Sequence, residues 1–517
     1  MQSVGQATSA LPFEAEWKPV IVDSRQSMKV FVTGATGFIG RALVLALRRR
    51  GHTVVGWVRC EKRARALLGD EVELLQITDR DSSLSEALSR CQGVVNLAGE
   101  PIFGKRWTRA RRQSLLASRV SLTSRLATGI KNAGQAPRVF LSGSAVGFYG
   151  DRGNEELDES SGPGNGFLAS LCQKWERAAL EASSASTRVV CLRTGIVLGQ
   201  GGGALDAMLR VFKVGLGGPL GHGRQFIPWI HLEDCVNLMI SALENSAIEG
   251  PLNVVGPAPV SQRVLARALG QALRRPSLFP TPRIALKTVM GQAAEALLTG
   301  QKCYPRKATA CGISFRHESI EGALKELLVP SGISIGTLGL STPPPLDEPD
   351  YLGSRVPKYF LQTRVMVDAP LAEVFPFFSK PPNLALLTPP KIGFMIHRME
   401  GPMGRGATIE YRLRVAGIKL GWRSRIERWE EGKVFVDSQE RGPYYSWWHE
   451  HHFRAQGRYT IMEDRVYYAP PLGLLGRLAH RVFIAAQLRE AFHYRGAAVG
   501  LRFGKLPIGE DDDERKA

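Results

Sequence analysis

The stretch that decides the fold is Val30-Phe-Val-Thr-Gly-Ala-Thr-Gly-Phe-Ile-Gly40. An apolar run ends at Gly34, and from Phe38 apolar residues recur at helical spacing to about residue 50. The three glycines have different tasks. Gly34 permits the tight turn off the strand, Gly37 lets backbone approach a pyrophosphate, and Gly40 lets the helix pack close to the sheet. A helix opening here presents unpaired N–H groups and a partial positive charge to phosphates. Set between a strand and a helix, the pattern predicts a dinucleotide site at Gly34, Thr36, Gly37, Phe38, Ile39 and Gly40.

Outward from that turn the chain alternates strand, turn and helix. Apolar runs at 29–33, 53–58, 72–77, 93–97, 138–142, 188–192 and 252–255 read as buried strands, with helical stretches at 38–50, 84–90 and 114–131 between them. The expected fold class is therefore α/β, a Rossmann-like doubly wound parallel sheet. The second strand ends at Val58-Arg59, with Lys62 and Arg63 close by. An acidic residue there would bind the ribose of NAD, whereas an arginine accommodates the 2′-phosphate of NADP. NADP is thus the expected cofactor over NAD; the alternative is an exposed basic loop that contacts nothing.

Beyond residue 256 helical spacing takes over, at 261–274 and 318–328. Residues 331–354, with Pro343, Pro344 and Pro345, read as a linker. Alternating segments at 358–367, 408–415, 434–440 and 445–454 and a helical stretch at 474–494 then predict a second α+β domain. The expected organisation is an extension over 1–27, a nucleotide-binding domain over 28–330, the linker, a domain over 355–507, and an acidic tail over 508–517. Because each half carries its own apolar pattern, 355–507 is expected to fold alone.

Composition narrows the partners. The 517 residues are 44% hydrophobic and 22% charged, ordinary for a globular protein. No apolar run is long enough for a membrane span, and the first 27 residues lack the basic and apolar regions of a secretory leader. Seven cysteines without C-x-x-C spacing fit buried thiols in a reducing cytoplasm better than disulfides or zinc. The formal charge of +19 is dispersed. The cluster Lys105, Arg106, Arg109, Arg111 and Arg112 reads as a solvated face, so no nucleic-acid partner is expected.

The spacing Gly-x-x-Gly-x-x-Gly resembles the extended short-chain dehydrogenase/reductase superfamily. Residues 28–330 are similar to its atypical epimerase-like branch, through Val95-Asn-Leu-Ala-Gly-Glu100, Ala117-Ser-Arg119, Lys174-Trp-Glu176, Leu192-Arg-Thr-Gly-Ile-Val-Leu-Gly199, Leu216-Gly-Gly-Pro219 and Phe226-Ile-Pro-Trp-Ile-His231. That resemblance implies that Leu97, Ala98 and Gly99 pass beneath the cofactor, that Arg119 reaches its phosphate or ribose region, and that Val197 lines the nicotinamide side. It also implies an NAD(P)-dependent oxidoreductase or epimerase-like enzyme acting on a small molecule.

Enzymes of that superfamily use a Tyr-x-x-x-Lys pair, the lysine lowering the tyrosine pKa for acid–base work. Ser144, in Ser142-Gly-Ser-Ala-Val-Gly-Phe-Tyr-Gly150, matches the substrate-orienting serine, but the pair falls on Leu168 and Cys172. Tyr149 is the candidate substitute acid and Lys174 a candidate lysine; the alternatives are a packed aromatic and a surface lysine. Glu100 and His231 are further titratable groups in motif positions. The missing pair keeps open a non-catalytic NADP-binding sensor.

Residues 355–507 resemble the helix-grip superfamily of START-like and polyketide-cyclase-like (SRPBCC) proteins, from Val365-Met-Val-Asp-Ala-Pro-Leu-Ala-Glu-Val-Phe375 through 476–494. The resemblance implies a curved sheet around a long helix and a lipid-like or aromatic ligand. In Trp447-Trp-His-Glu-His-His-Phe453, strand period two puts Trp447, His449, His451 and Phe453 on one face. A metal shared by His449 and His451 is one reading; cross-strand packing, with no metal, is the one expected.

Overall fold

The computed structural model describes residues 27–77, 81–339, 355–415 and 418–506. The expected extension (but for Ser27), the acidic tail and the proline-rich part of the linker lie outside these residues. The first half is built on seven parallel strands: β1 (Lys29–Thr33), β2 (Thr53–Val58), β3 (Glu73–Gln76), β4 (Gly93–Asn96), β5 (Val139–Ala145), β6 (Arg188–Thr194) and β7 (Gly250–Val254). Their order is β3-β2-β1-β4-β5-β6-β7. The chain steps outward from β1 to β3 and then restarts at β4 on the other side. The strand order thus reverses between β1 and β4, and a crevice opens at their carboxyl ends.

These strands read as apolar runs because helices cover both faces. Val30, Phe31, Val32, Val94, Val95 and Leu141 are fully buried. Packed on the sheet are α1 (Phe38–Arg49), α2 (Leu122–Lys131), α3 (Phe167–Leu180) and α4 (Leu232–Glu244). The expected helix at 114–131 is interrupted by a wider π turn over Ala117–Ser121, which carries Arg119. Strands β5 and β6 run on to Ala145 and Thr194, three and two residues beyond expectation, because Ser144 pairs with Arg193 and Ala145 with Thr194.

The second half is an antiparallel sheet of β8 (Ile333–Thr337), β9 (Tyr359–Val367), β10 (Met395–Glu400), β11 (Thr408–Val415), β12 (Ile418–Glu430), β13 (Val434–Arg441), β14 (Ser446–Gln456) and β15 (Tyr459–Ala469), with β16 (Lys505–Leu506) added beside β9. Its order is β8-β9-β15-β14-β13-β12-β11-β10. A short helix, α5 (Leu371–Phe378), follows β9, and α6 (Ala485–Phe503) lies against the sheet. Strand β8 corrects the linker expectation: Ile333 and Ile335 alternate with Ser334 and Gly336, and the segment pairs with β9 from Ile333↔Thr363 to Thr337↔Tyr359. Its serine and glycine hid the period of two.

The halves share buried contacts. Helix α1 packs along α6. Leu45 joins the apolar cluster of Val367, Phe375 and Phe503, while Leu501 packs on the core of the first half. Arg41 donates to the Tyr494 hydroxyl and the Gly201 carbonyl, both at 3.4 Å, and Gln200 Nε2 lies 2.8 Å from His493 Nδ1. Among the described residues no helix is long and apolar enough to cross a membrane. All seven cysteines are free; five are buried, Cys311 is half-buried and Cys60 is exposed.

Candidate functional site

Gly34 takes φ +69°, a left-handed conformation that glycine adopts without strain. A β-carbon there would stand 2.8 Å from the Leu97 carbonyl carbon and 2.9 Å from the Ala98 nitrogen. The β1–α1 turn and the end of β4 are therefore pressed together. A β-carbon on Gly40 would strike the Gly34 carbonyl, which in turn accepts from the Gly37 N–H at 2.8 Å. Gly37 is exposed, no side chain caps α1, and its first turn holds no acidic residue. Thr36 and Ile39 are half-buried beside it, and the Phe38 ring packs beneath Gly199, Gly202 and Gly203.

The end of β4 is tied down by a network that the sequence reading missed. Thr33 Oγ1 donates to Asn96 Oδ1 at 2.6 Å and accepts from the Ala98 N–H at 3.2 Å. Asn96 Nδ2 and Trp175 Nε1 both donate to Thr123 Oγ1, at 2.8 and 2.9 Å. Leu97 and Ala98 remain half-buried and Gly99 exposed, so this floor faces the crevice.

Two arginines flank it. Val58 is buried, while Arg59 at the end of β2 is exposed, as are Lys62 and Arg63. Arg119 is buried under Gly99. It donates to the Glu100 carbonyl at 2.8 Å and lies over the Trp175 ring at 5.3 Å. Burial pushes its pKa down. Val197, buried in the short strand Ile196–Leu198, pairs with Ile230 of Trp229–His231. The expected cofactor residues thus gather at the carboxyl ends of β1, β2 and β4 and on Ile196–Leu198, except that Arg59 and Arg119 stand on separate flanks.

The positions expected to be catalytic form a closed network. Ser144 Oγ donates to Glu176 Oε1 at 2.6 Å, and Glu176 takes Arg193 in a two-pronged pair at 2.9 and 3.0 Å. Arg193 donates to the Tyr149 hydroxyl at 3.0 Å, and that hydroxyl lies 2.7 Å from Asn253 Oδ1 and 2.8 Å from the Asp158 carbonyl. Tyr149 is fully buried, and burial holds its phenol well above its ordinary pKa. Ser144 and Tyr149 are therefore brought together, but through Glu176 and Arg193, and the phenol faces the interior. Glu176 and Arg193 stood in the family-like motifs without an assigned role; an arginine ending the apolar run of 189–192 was the available signal.

Helix α3 presents Leu168 and Cys172 to the same strand end, where a β-carbon on Gly147 would meet Leu168 Cβ at 3.3 Å and Cys172 Sγ at 3.9 Å. Burial and the nearby Glu176 charge push the Cys172 thiol up to about 12. Lys174 is exposed on another face. Glu100 is held by Arg111 and by Ser114 Oγ at 3.0 Å. His231 caps α4, accepting from the Glu233 N–H at 3.2 Å, and stacks on His317 at 3.6 Å. Burial and the His317 charge press it down to about 3.

A second site lies between α6 and the antiparallel sheet: a cavity of about 500 Å³ walled by Tyr411, Trp422, Phe435, Trp447, Leu488 and Phe492. Asp437, His449, His451 and Arg495 are among its polar lining residues. The carboxylates missing from the local sequence come from neighbouring strands, Asp437 opposite His449 and Asp464 opposite His451. Burial and the adjacent His451 charge press His449 down to about 4.

Comparison with known proteins follows these lines. Residues 30–256 match the NAD dependent epimerase/dehydratase family, and residues 281–327 a domain of unknown function, DUF1731. The chain is 41% identical over 306 residues to epimerase family protein SDR39U1 of Bos taurus, covering 58% of this chain and all of that one. It is 38% identical over 303 residues to the chloroplastic SDR39U1 homolog of Arabidopsis thaliana, 58% of this chain and 87% of that one. The crystal structure of human SDR39U1 (isoform 2) with NADPH superposes with a TM-score of 0.54 at 38% identity, over 58% of this chain and 99% of that one. By its glycine turn, its strand order and these relatives, the chain belongs to the NAD dependent epimerase/dehydratase family.

Proposed function

We propose that residues 28–330 form an NADP-dependent oxidoreductase or epimerase-like enzyme acting on a small molecule, joined to a helix-grip domain that binds an apolar, aromatic or lipid-like ligand. The observation that carries the reading is the Gly34–Gly37–Gly40 turn, which leaves the uncapped N-terminus of α1 facing the crevice beside exposed Arg59. Those N–H groups take the pyrophosphate, and Arg59 takes the 2′-phosphate. Leu97, Ala98 and Gly99 floor the cofactor, Arg119 reaches its phosphates or ribose, and Val197 lies toward the nicotinamide. NADPH in the human relative supports the choice of cofactor.

Leu168 and Cys172 put an apolar surface where a tyrosine and lysine would move protons, and Tyr149 is sealed from the crevice. In this reading Ser144, fixed by Glu176, orients substrate, and the reaction draws its proton from a group other than a Tyr–Lys pair. The same two residues favour the second reading, an NADP-binding sensor without catalysis. A ternary complex separates the two: an acid–base side chain within hydrogen-bond reach of the substrate marks the enzyme.

Cofactor choice is tested by titrating NADPH and NADH against wild type and Arg59→Ala. Loss of a charge-assisted contact costs about 1.5–3 kcal/mol, or roughly 10- to 150-fold in affinity. NADPH is expected to bind more tightly than NADH, with the preference lost in the variant. Equal wild-type affinities would remove the basis for NADP.

A further inference from the structure

We infer that the wall of the second cavity is a binding site for a first-row divalent metal ion, of the zinc or iron(II) class, held by His449, His451 and Asp437. One nitrogen of each imidazole and one oxygen of Asp437 lie within 4.8 Å of one another. His451 Nε2 is 3.1 Å from Asp437 Oδ1, and His449 Nδ1 is 3.7 Å from the same oxygen. Donors sharing one ion at bond lengths of about 2.0–2.2 Å stand roughly 3–3.5 Å apart, so small side-chain rotations suffice.

The other ring nitrogens make the stronger case. His449 Nε2 and His451 Nδ1 both point at Asp464 Oδ1, at 3.3 and 2.8 Å. Asp464 is buried and paired with Arg495 at 3.2 Å. Metal-binding histidines characteristically give their second N–H to a carboxylate, which fixes the tautomer and aims the free nitrogen at the ion. Here one anchored carboxylate faces both rings, and Arg495 Nη2 also stands 3.1 Å from His451 Nδ1. Asp437 is also oriented, accepting from Ser424 Oγ at 3.3 Å.

Charge points the same way. Half-buried Asp437 and buried Asp464 share, among the described residues, one ion-paired arginine, Arg495 at 3.2 Å from Asp464, and a cation between them would offset the excess negative charge. Two imidazoles and one carboxylate suit zinc or non-haem iron(II) better than calcium or magnesium, which prefer oxygen donors. Three protein ligands leave coordination positions open toward the cavity. The grouping of His231, Glu233 and His317 differs. Both His317 nitrogens are taken by carboxylates outside that grouping, Asp234 at 3.2 Å and Glu326 at 2.5 Å, whereas His451 Nε2 faces Asp437 of its own group.

The test uses the full chain, free of any histidine tag and stripped with a chelator, titrated with Zn²⁺ by calorimetry and with Co²⁺ by visible absorption. One equivalent is expected to bind, with loss of that equivalent in the double variant His449→Ala/His451→Ala. Asp464→Asn is expected to weaken binding about 10- to 100-fold. His452→Ala is the control, since that ring lies on the other sheet face, 2.8 Å from Glu450, and should bind as wild type. Thermal unfolding with and without chelator guards against misfolding: chelation should lower the wild-type midpoint and leave the double variant unmoved. A wild type that takes up no stoichiometric metal would overturn the site. Uptake that survives the double variant, or is lost with His452, overturns it too. No cavity ligand or cofactor enters the measurement, so its outcome is separate from the reading of the cavity.

Discussion

At the scale of single residues, the stacked pair His231 and His317 links protonation to stability. Burial opposes a charge on His317, but its bonds to Asp234 and Glu326 outweigh that and lift it to about 9. A histidine whose folded pKa exceeds the ordinary value of about 6.5 stabilises the fold fully below that pH and loses its contribution as pH rises through about 9. His231 has the opposite sign. Pressed down to about 3, it contributes above about 6.5 and loses that contribution as pH falls toward 3. The pair therefore favours the fold most near pH ~6.5. We expect wild type to lose on the order of 2–3 kcal/mol from His317 between that pH and the far side of 9. His317→Gln should be less stable at neutral pH but flatter on the alkaline side. Urea unfolding across that range checks it; parallel profiles for the two proteins would show that His317 does not carry the effect.

At the scale of elements, α3 decides what the crevice can do. Cys172 is buried against Ser144 and Gly147, and the Arg119 charge acts on it. A lysine there would enter a dry site where the Glu176 carboxylate is already paired with Arg193 and the Arg119 guanidinium stands nearby, a burial that costs several kcal/mol for an ion without a partner of its own. Cys172→Lys should therefore lower the melting temperature sharply, whereas Leu168→Tyr, at a half-buried position, should cost only about 1–3 kcal/mol of repacking. Thermal unfolding of the two variants tests this, and an unchanged midpoint for Cys172→Lys would refute it. The parallel strands were legible in the sequence because burial on both faces leaves uninterrupted apolar runs. β10, β12 and β15 were not, because charged residues break up their apolar pattern: Arg398 and Glu400 in β10, Arg423 and Arg425 in β12, and Glu463 to Arg465 in β15. The glycine turn was legible because local conformation demands it. The Glu176–Arg193 pair and the carboxylates around His449 and His451 were not, because their partners arrive from other elements through register.

At the scale of the whole molecule, the helix that opens the cofactor crevice is also the helix that holds the second domain. One side of α1 packs on the parallel sheet, and Leu45 on the other is buried among Phe375, Phe503 and Val367. Lys380 reaches Glu71 at 3.3 Å and Lys213 reaches Glu490 at 3.7 Å across the same boundary. These exposed pairs add little; the buried apolar contacts decide the matter. A chain cut at residue 355 would also lose β8, leaving β9 without that neighbour on the sheet. Cut instead after Val329, each piece keeps its own strands but exposes one side of the shared cluster. We expect pieces 27–329 and 330–517 to associate when mixed, and NADPH affinity to be weaker in the first piece alone than in the mixture, because α6 steadies α1 from behind. Size-exclusion chromatography and cofactor titration of the pieces, separate and combined, measure both effects. If the pieces elute as independent monomers and the first binds NADPH as the full chain does, the contact around Leu45 is only an abutment and the two halves work independently.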